Sequence, residues 1–124
     1  MLAGQTEGGV FGSQLVVDNN DGIHIAYHDW GPLDNDLKVE YNYCPASAAC
    51  AKGEGWIGVA FSTDVLNIWL AATNDGKPRL LLGLNDEATF DSNFYYAACD
   101  SSCGTASSWE IGFAATQRGT ATNN

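Results

Sequence analysis

Basic residues are scarce in this chain: Lys and Arg number 5 against 15 Asp and Glu, for a formal net charge of -10. A surface of that sign repels phosphate backbones and anionic headgroups, so nucleic acid and membranes are poor partners. Long apolar runs are missing too, and stretches such as Leu80-Leu81-Leu82 fall far short of the ~20 residues a spanning helix needs. The opening Met1-Leu2-Ala3-Gly4-Gln5-Thr6-Glu7 has neither the charged start nor the apolar core of a signal peptide. An exported form is therefore expected to be a mature or truncated chain. No segment has a helical period of useful length, and the 14 glycines work against helices.

What is present is a repeat. Cys44 to Trp56 (C-PASAA-C-AKGEG-W) returns as Cys99 to Trp109 (C-DSS-C-GTASS-W). Upstream, Gln14 to Val17, the turn Asn19-Asn20-Asp21-Gly22 and His24 to Tyr27 return as Trp69 to Ala72, Asn74-Asp75-Gly76 and Arg79 to Leu82. Cys44 maps onto Cys99 at an offset of 55, and Cys50 onto Cys103 at 53. The slip is a two-residue deletion between the paired cysteines, where a loop tolerates it. A period near 55 defines the building unit of the chain.

The four cysteines form two close pairs at matching places in the repeat. Each loop between them is rich in Ala, Ser and Gly, and both histidines lie elsewhere, which argues against zinc. One disulfide per repeat is expected, Cys44 with Cys50 and Cys99 with Cys103, and with it an oxidising, secreted setting.

Each copy reads as four short strands. In the first, Gln14 to Asp18 leads through Asp18-Asn19-Asn20-Asp21-Gly22 into a strand. There Ile23, Ile25 and Tyr27 oppose His24, Ala26 and His28. Leu37, Val39, Tyr41 and Tyr43 alternate with Lys38, Glu40 and Asn42, and Trp56 to Phe61 closes the unit. The second copy repeats the plan as Leu66 to Thr73, Pro78 to Leu84, Asn93 to Ala98 and Trp109 to Ala115. The expected class is all-β, with two four-stranded antiparallel meander units of the propeller-blade type; an eight-stranded β-sandwich is the alternative. The units span 10–63 and 64–116, between a loose head (1–9) and tail (117–124).

The strings Asp21-Gly22-Ile23-His24-Ile25-Ala26-Tyr27-His28-Asp29, Phe94-Tyr95-Tyr96-Ala97-Ala98-Cys99-Asp100 and Cys103-Gly104-Thr105-Ala106-Ser107-Ser108-Trp109 carry a resemblance. They are similar to repeats of secreted bacterial β-propellers of the sialidase-like (BNR-like) group. The resemblance covers roughly residues 10 to 115 and implies one propeller blade per repeat. The Ser-x-Asp-x-Gly-x-Thr-Trp box of many sialidases is missing, and Arg79 and Arg118 are too few for an arginine triad. The likeness therefore carries the fold and not the sialidase chemistry.

Two blades leave faces and strand edges uncovered, since rings of blades usually need four to eight. The chain is expected to associate with itself, in a closed ring or an open array. The other resolutions are a longer parent chain and face-to-face packing of the two sheets as a sandwich.

Candidate ligand-binding residues are His24, His28, Asp29 and Trp30, where the copies disagree: His24 becomes Arg79 and His28 becomes Gly83. Two histidines four apart on a strand share a face but stand ~13 Å apart, too far for one metal. The plainer reading makes them solvent-facing strand residues. Trp30 lies in an expected loop, His28-Asp29-Trp30-Gly31-Pro32, and an unrepeated loop tryptophan suits stacking on a sugar or anchoring an interface. Acidic loops in both copies make Asp34, Asp36, Asp86 and Asp91 candidate calcium ligands, although neither loop has the spaced Asp-x-Asn-x-Asp-Gly pattern. No convincing nucleophile, base or metal triad is present. The expected function is a non-catalytic extracellular binding or scaffold module, glycan-directed and self-associating. Its rival is a structural subunit of an extracellular assembly or filament. An acid-type glycosidase rests only on abundant carboxylates.

Overall fold

Two short turns of the same make set the architecture. In each, the first residue closes on the fifth: the Asp18 amide donates to the Gly22 carbonyl at 2.9 Å, and the Thr73 amide to the Lys77 carbonyl at 2.9 Å. The strands on either side of such a turn must run antiparallel, and the computed structural model, which describes residues 10–30, 37–62, 67–86 and 88–119, is all-β. One sheet has the order β1 (Val10–Val17), β2 (Ile23–Trp30), β3 (Leu37–Cys44), β4 (Ile57–Ser62). The other has β5 (Asn67–Ala72), β6 (Pro78–Asn85), β7 (Ser92–Ala98), β8 (Glu110–Gln117). Both are simple meanders, as the alternation predicts.

Several boundaries shift by a residue or two, and β8 reaches Gln117, but two differ more from expectation. The first strand begins at Val10, ahead of Gln14, because an irregularity between Phe11 and Gln14 lets pairing with β2 resume beyond it. Trp30 ends β2, paired in backbone with Leu37, instead of sitting in a loop. Its side chain, with Asp34 and Asp36, lies outside the described residues.

The hairpins that end each sheet carry the disulfides. Cys44 pairs with Cys50 and Cys99 with Cys103, with Cα separations of 6.0 and 5.8 Å. Each closes a short loop, a constraint worth about 2 kcal/mol by loop-closure entropy. A one-turn 3₁₀ helix follows each bridge, Cys50–Lys52 and Ala106–Ser108. The tryptophan after it bonds back, Trp56 Nε1 to the Cys50 carbonyl at 3.2 Å and Trp109 Nε1 to the Cys103 carbonyl at 3.0 Å.

Register makes the repeat exact at the level of pairs. Leu15 faces Ile25 and Ala26 faces Tyr41; 55 residues on, Leu70 faces Leu80 and Leu81 faces Tyr96. Residues paired across strands share a face. Each sheet therefore has a front, carrying Ala26, Val39 and Tyr41 or their counterparts Leu81, Phe94 and Tyr96. Its back carries Leu15 and Ile25 or Leu70 and Leu80.

The core forms where the front of the first sheet meets the back of the second. Ala26, Val39 and Tyr41 pack with Ile68, Leu70, Leu80, Leu82, Ala97 and Trp109. Tyr41 and Phe61 meet Trp109 in edge-on ring contacts, with centroids 5.2 and 5.5 Å apart. β1 and β5, equivalent strands, are neighbours across this joint. The two faces in contact are not equivalent under the repeat, so the joint runs head to tail. Equivalent residues consequently differ in burial: Tyr41 is 1% exposed and Tyr96 49%, while Leu70 is 8% exposed and Leu15 64%.

Candidate functional site

Polar groups gather at two places, one on each side of the first sheet. The first is at the joint. Asp18 opens the turn before β2, and its Oδ1 accepts the amides of Asn20 and Gly22 at 2.8 and 2.9 Å. Its Oδ2 lies 2.8 Å from His24 Nε2, and His24 Nδ1 lies 2.7 Å from the Tyr41 hydroxyl. With Nε2–H donating to the carboxylate, the neutral imidazole leaves Nδ1 to accept the tyrosine proton. All three side chains are buried. Burial alone would raise the Asp18 carboxyl, but His24 and the two turn amides outweigh it and hold it below its ordinary value. Burial first, then the nearby Tyr43 and Asp18, push the Tyr41 hydroxyl well above its ordinary range.

His24 and His28 are therefore not solvent-facing strand residues. Both are buried, because the face they share with Ala26, Val39 and Tyr41 is the one the second sheet covers. The second sheet reaches this site through its own turn. Gly76, at φ 83°, lies so close that a Cβ there would sit 2.9 Å from Asp18 Oδ2. Asn19 Nδ2 donates to the Asn74 carbonyl at 3.3 Å beside it. A cleft of about 220 Å³ opens at this joint, lined among others by His24, Tyr43, Asp75, Lys77 and Asp100.

The second copy replaces this chain of bonds. Thr73 stands where Asp18 would be, and its Oγ1 accepts the Lys77 amide at 3.0 Å. Arg79 stands at the place of His24 and pairs with Asp100 at 2.9 Å. Asp18 escapes a sequence reading because its turn offers four Asx residues in a row. The replacement of Asp and His together by Thr and Arg was the available signal.

The second cluster lies on the back of the first sheet. The Tyr27 hydroxyl donates to Glu40 Oε1 at 2.9 Å and accepts Asn42 Nδ2 at 3.3 Å. Asp29 is buried there, and Tyr27 and Asn42 with it. Burial, then a hydrogen bond shared with Asp29, pushes the Glu40 carboxyl from 4.5 up to about 7. A carboxyl raised on folding favours the protonated folded state. Its contribution to stability is full below 4.5 and is lost as the pH climbs through 7. Glu40→Gln, which keeps an acceptor for Tyr27, is expected to flatten the fall in melting temperature between pH 4.5 and about 7. Melting curves followed by circular dichroism read this directly, and an unchanged slope would assign the pH dependence to other groups.

Of the acidic loop residues, Asp86 Oδ1 accepts the amides of Ala88 and Thr89 at 2.8 and 3.4 Å. Asp91 Oδ1 accepts that of Gly119 at 2.7 Å. Both shape turns. Among the described residues no group of three or more His, Cys, Asp or Glu is arranged to hold a metal ion. No protein-family model matches this chain, and no curated protein or solved structure shows significant similarity to it.

Proposed function

We propose that this chain is a non-catalytic extracellular binding and scaffold module, directed to glycans, that works as an assembly of its own copies. The observation that carries the reading is the exposure of large apolar side chains on both outer faces: Leu15 and Val17 outside the first sheet, Trp69 and Tyr96 outside the second. Patches of that kind on a small protein mark interaction surfaces. The two disulfides suit an oxidising, extracellular setting.

The buried Asp18–His24–Tyr41 chain supports a structural role over catalysis. Its hydroxyl is enclosed and raised, the opposite of what an attacking oxygen needs. The joint cleft supports the choice of ligand class. Tyr43, an aromatic side chain, lines it, and Asp75, Lys77 and Asp100 offer groups that bond to hydroxyls. An acidic surface also tolerates neutral sugars better than anionic ligands.

Sedimentation equilibrium tests the assembly. A mass that is a multiple of 13.2 kDa and falls on dilution is expected. A stable 13.2 kDa species at every concentration would refute it. Glycan-array binding by the native chain, weakened by Tyr43→Ala or Trp30→Ala, tests the ligand class. A blank array would reduce the reading to a scaffold. A second reading, acid-type glycoside hydrolysis, draws on one observation: Glu40 is held near 7 beside Asp29, as a general acid requires. Turnover of aryl glycosides that vanishes in Glu40→Gln would favour it.

A further inference from the structure

We infer that the front of the second sheet docks on the back of the first sheet of another copy, repeating between molecules the joint already made within one. This rests on the self-association proposed above and specifies its surfaces. Within the chain, a front that carries Ala26, Val39 and Tyr41 covers a back that carries Leu70, Leu80 and Trp109. Among the described residues, no sheet covers the matching front, with Trp69, Leu81, Phe94 and Tyr96, or the matching back, with Leu15, Ile25 and Trp56. From Gln14 to Tyr43 the strand pairs correspond to those of the second sheet at the offset of 55, with register shifts only at Phe11/Gln14 and Phe94/Tyr95. The centres of the two open faces therefore present the same spacing as those of the two closed ones.

The internal joint supplies the contacts. Tyr41 meets Trp109 edge-on at 5.2 Å, so Tyr96 is placed to meet Trp56 of the second copy. Trp56 already holds the same bond to its own hairpin that Trp109 does, yet remains partly exposed. The docking area lies toward the turn end of the back, because Tyr27 and Asp29 are already enclosed at the other end and the buried Asn42, paired with Ile25, marks its inner limit. Arg79 takes the place of His24 on the front, and the exposed Asp21 sits in the turn it would approach. A net charge of -10 per copy opposes association, so added salt strengthens it. Since the two faces differ, the contact has no built-in stop at two copies; the rotation between sheets decides between a ring and an open array.

Two variants at exposed positions test this without touching the core. Tyr96→Asp blocks the front of the second sheet and Leu15→Asp blocks the back of the first, at side chains 49% and 64% exposed. Unchanged circular dichroism shows that each still folds. Each alone is expected to sediment as a 13.2 kDa monomer, while an equal mixture forms a dimer of twice that mass and nothing larger. The Tyr96→Asp chain offers an intact back, and the Leu15→Asp chain an intact front. If the wild type associates but either variant alone does so equally well, like faces meet and this inference fails while self-association stands. If both variants are monomeric and their mixture stays monomeric, head-to-tail docking is overturned. A monomeric wild type refutes both.

Discussion

Trp109→Ala is expected to lower the unfolding free energy by about 4 kcal/mol, and Trp56→Ala by only about 1 kcal/mol, when both are measured at concentrations that keep the chain monomeric. The two tryptophans occupy the same place in the repeat and make the same backbone bond to the hairpin behind them. Their difference lies in what comes from the other side. Trp109 is 7% exposed and receives the edges of Tyr41 and Phe61, so its loss opens a cavity at the centre of the joint. Among the described residues no sheet faces Trp56, and its removal takes away little more than local packing. Urea unfolding of the two variants measures the gap directly. Equal losses would mean that the joint is not what stabilises the chain.

The second large effect belongs to Asp18. Asp18→Ala removes the acceptor of two turn amides and leaves the His24 Nε2–H without its partner in a buried place. Leaving that buried donor unsatisfied and the two turn amides without their acceptor costs about 3 kcal/mol together, held down because the joint cleft opens beside His24. For a domain of this size that is a fall in melting temperature of roughly 10 °C. The Asp18 carboxyl is held below its ordinary 3.8, so its contribution is present above that pH and is lost as the pH falls through the lowered value. Asp18→Asn should therefore lie closest to the wild type under acid and furthest from it near neutrality. His24→Ala added to Asp18→Ala should cost less than the sum of the two alone, since both remove one interaction. Additive losses would show that the two side chains act separately.

The strands and both disulfides were legible because they rest on local signals. Period-two alternation, the Asx-Gly turns and the paired cysteines each fix a few neighbouring residues. The buried sites were not. Alternation says that His24, Ala26 and His28 share a face, but not which face another sheet will cover, and polarity argued for the wrong one. The Asp18–His24–Tyr41 chain joins a turn, β2 and β3, and its buried setting depends on Gly76 from the other repeat. Glu40 likewise looks like the charged side of an alternating strand until register sets it opposite Tyr27. Each miss is a pairing made in space between elements that a linear pattern treats separately. The repeat helps where the copies differ: Asp18 and His24, which depart from their counterparts Thr73 and Arg79, lie at the joint.

In a head-to-tail assembly, Leu15 and Tyr96 are exposed and Trp56 half-buried only in the separated copy. Hydroxyl-radical footprinting across a dilution series tests it residue by residue. At high concentration Leu15, Trp56 and Tyr96 should lose labelling together, while Phe90, exposed in a loop away from both faces, keeps it. Labelling of all four that stays constant over the whole range would contradict the account.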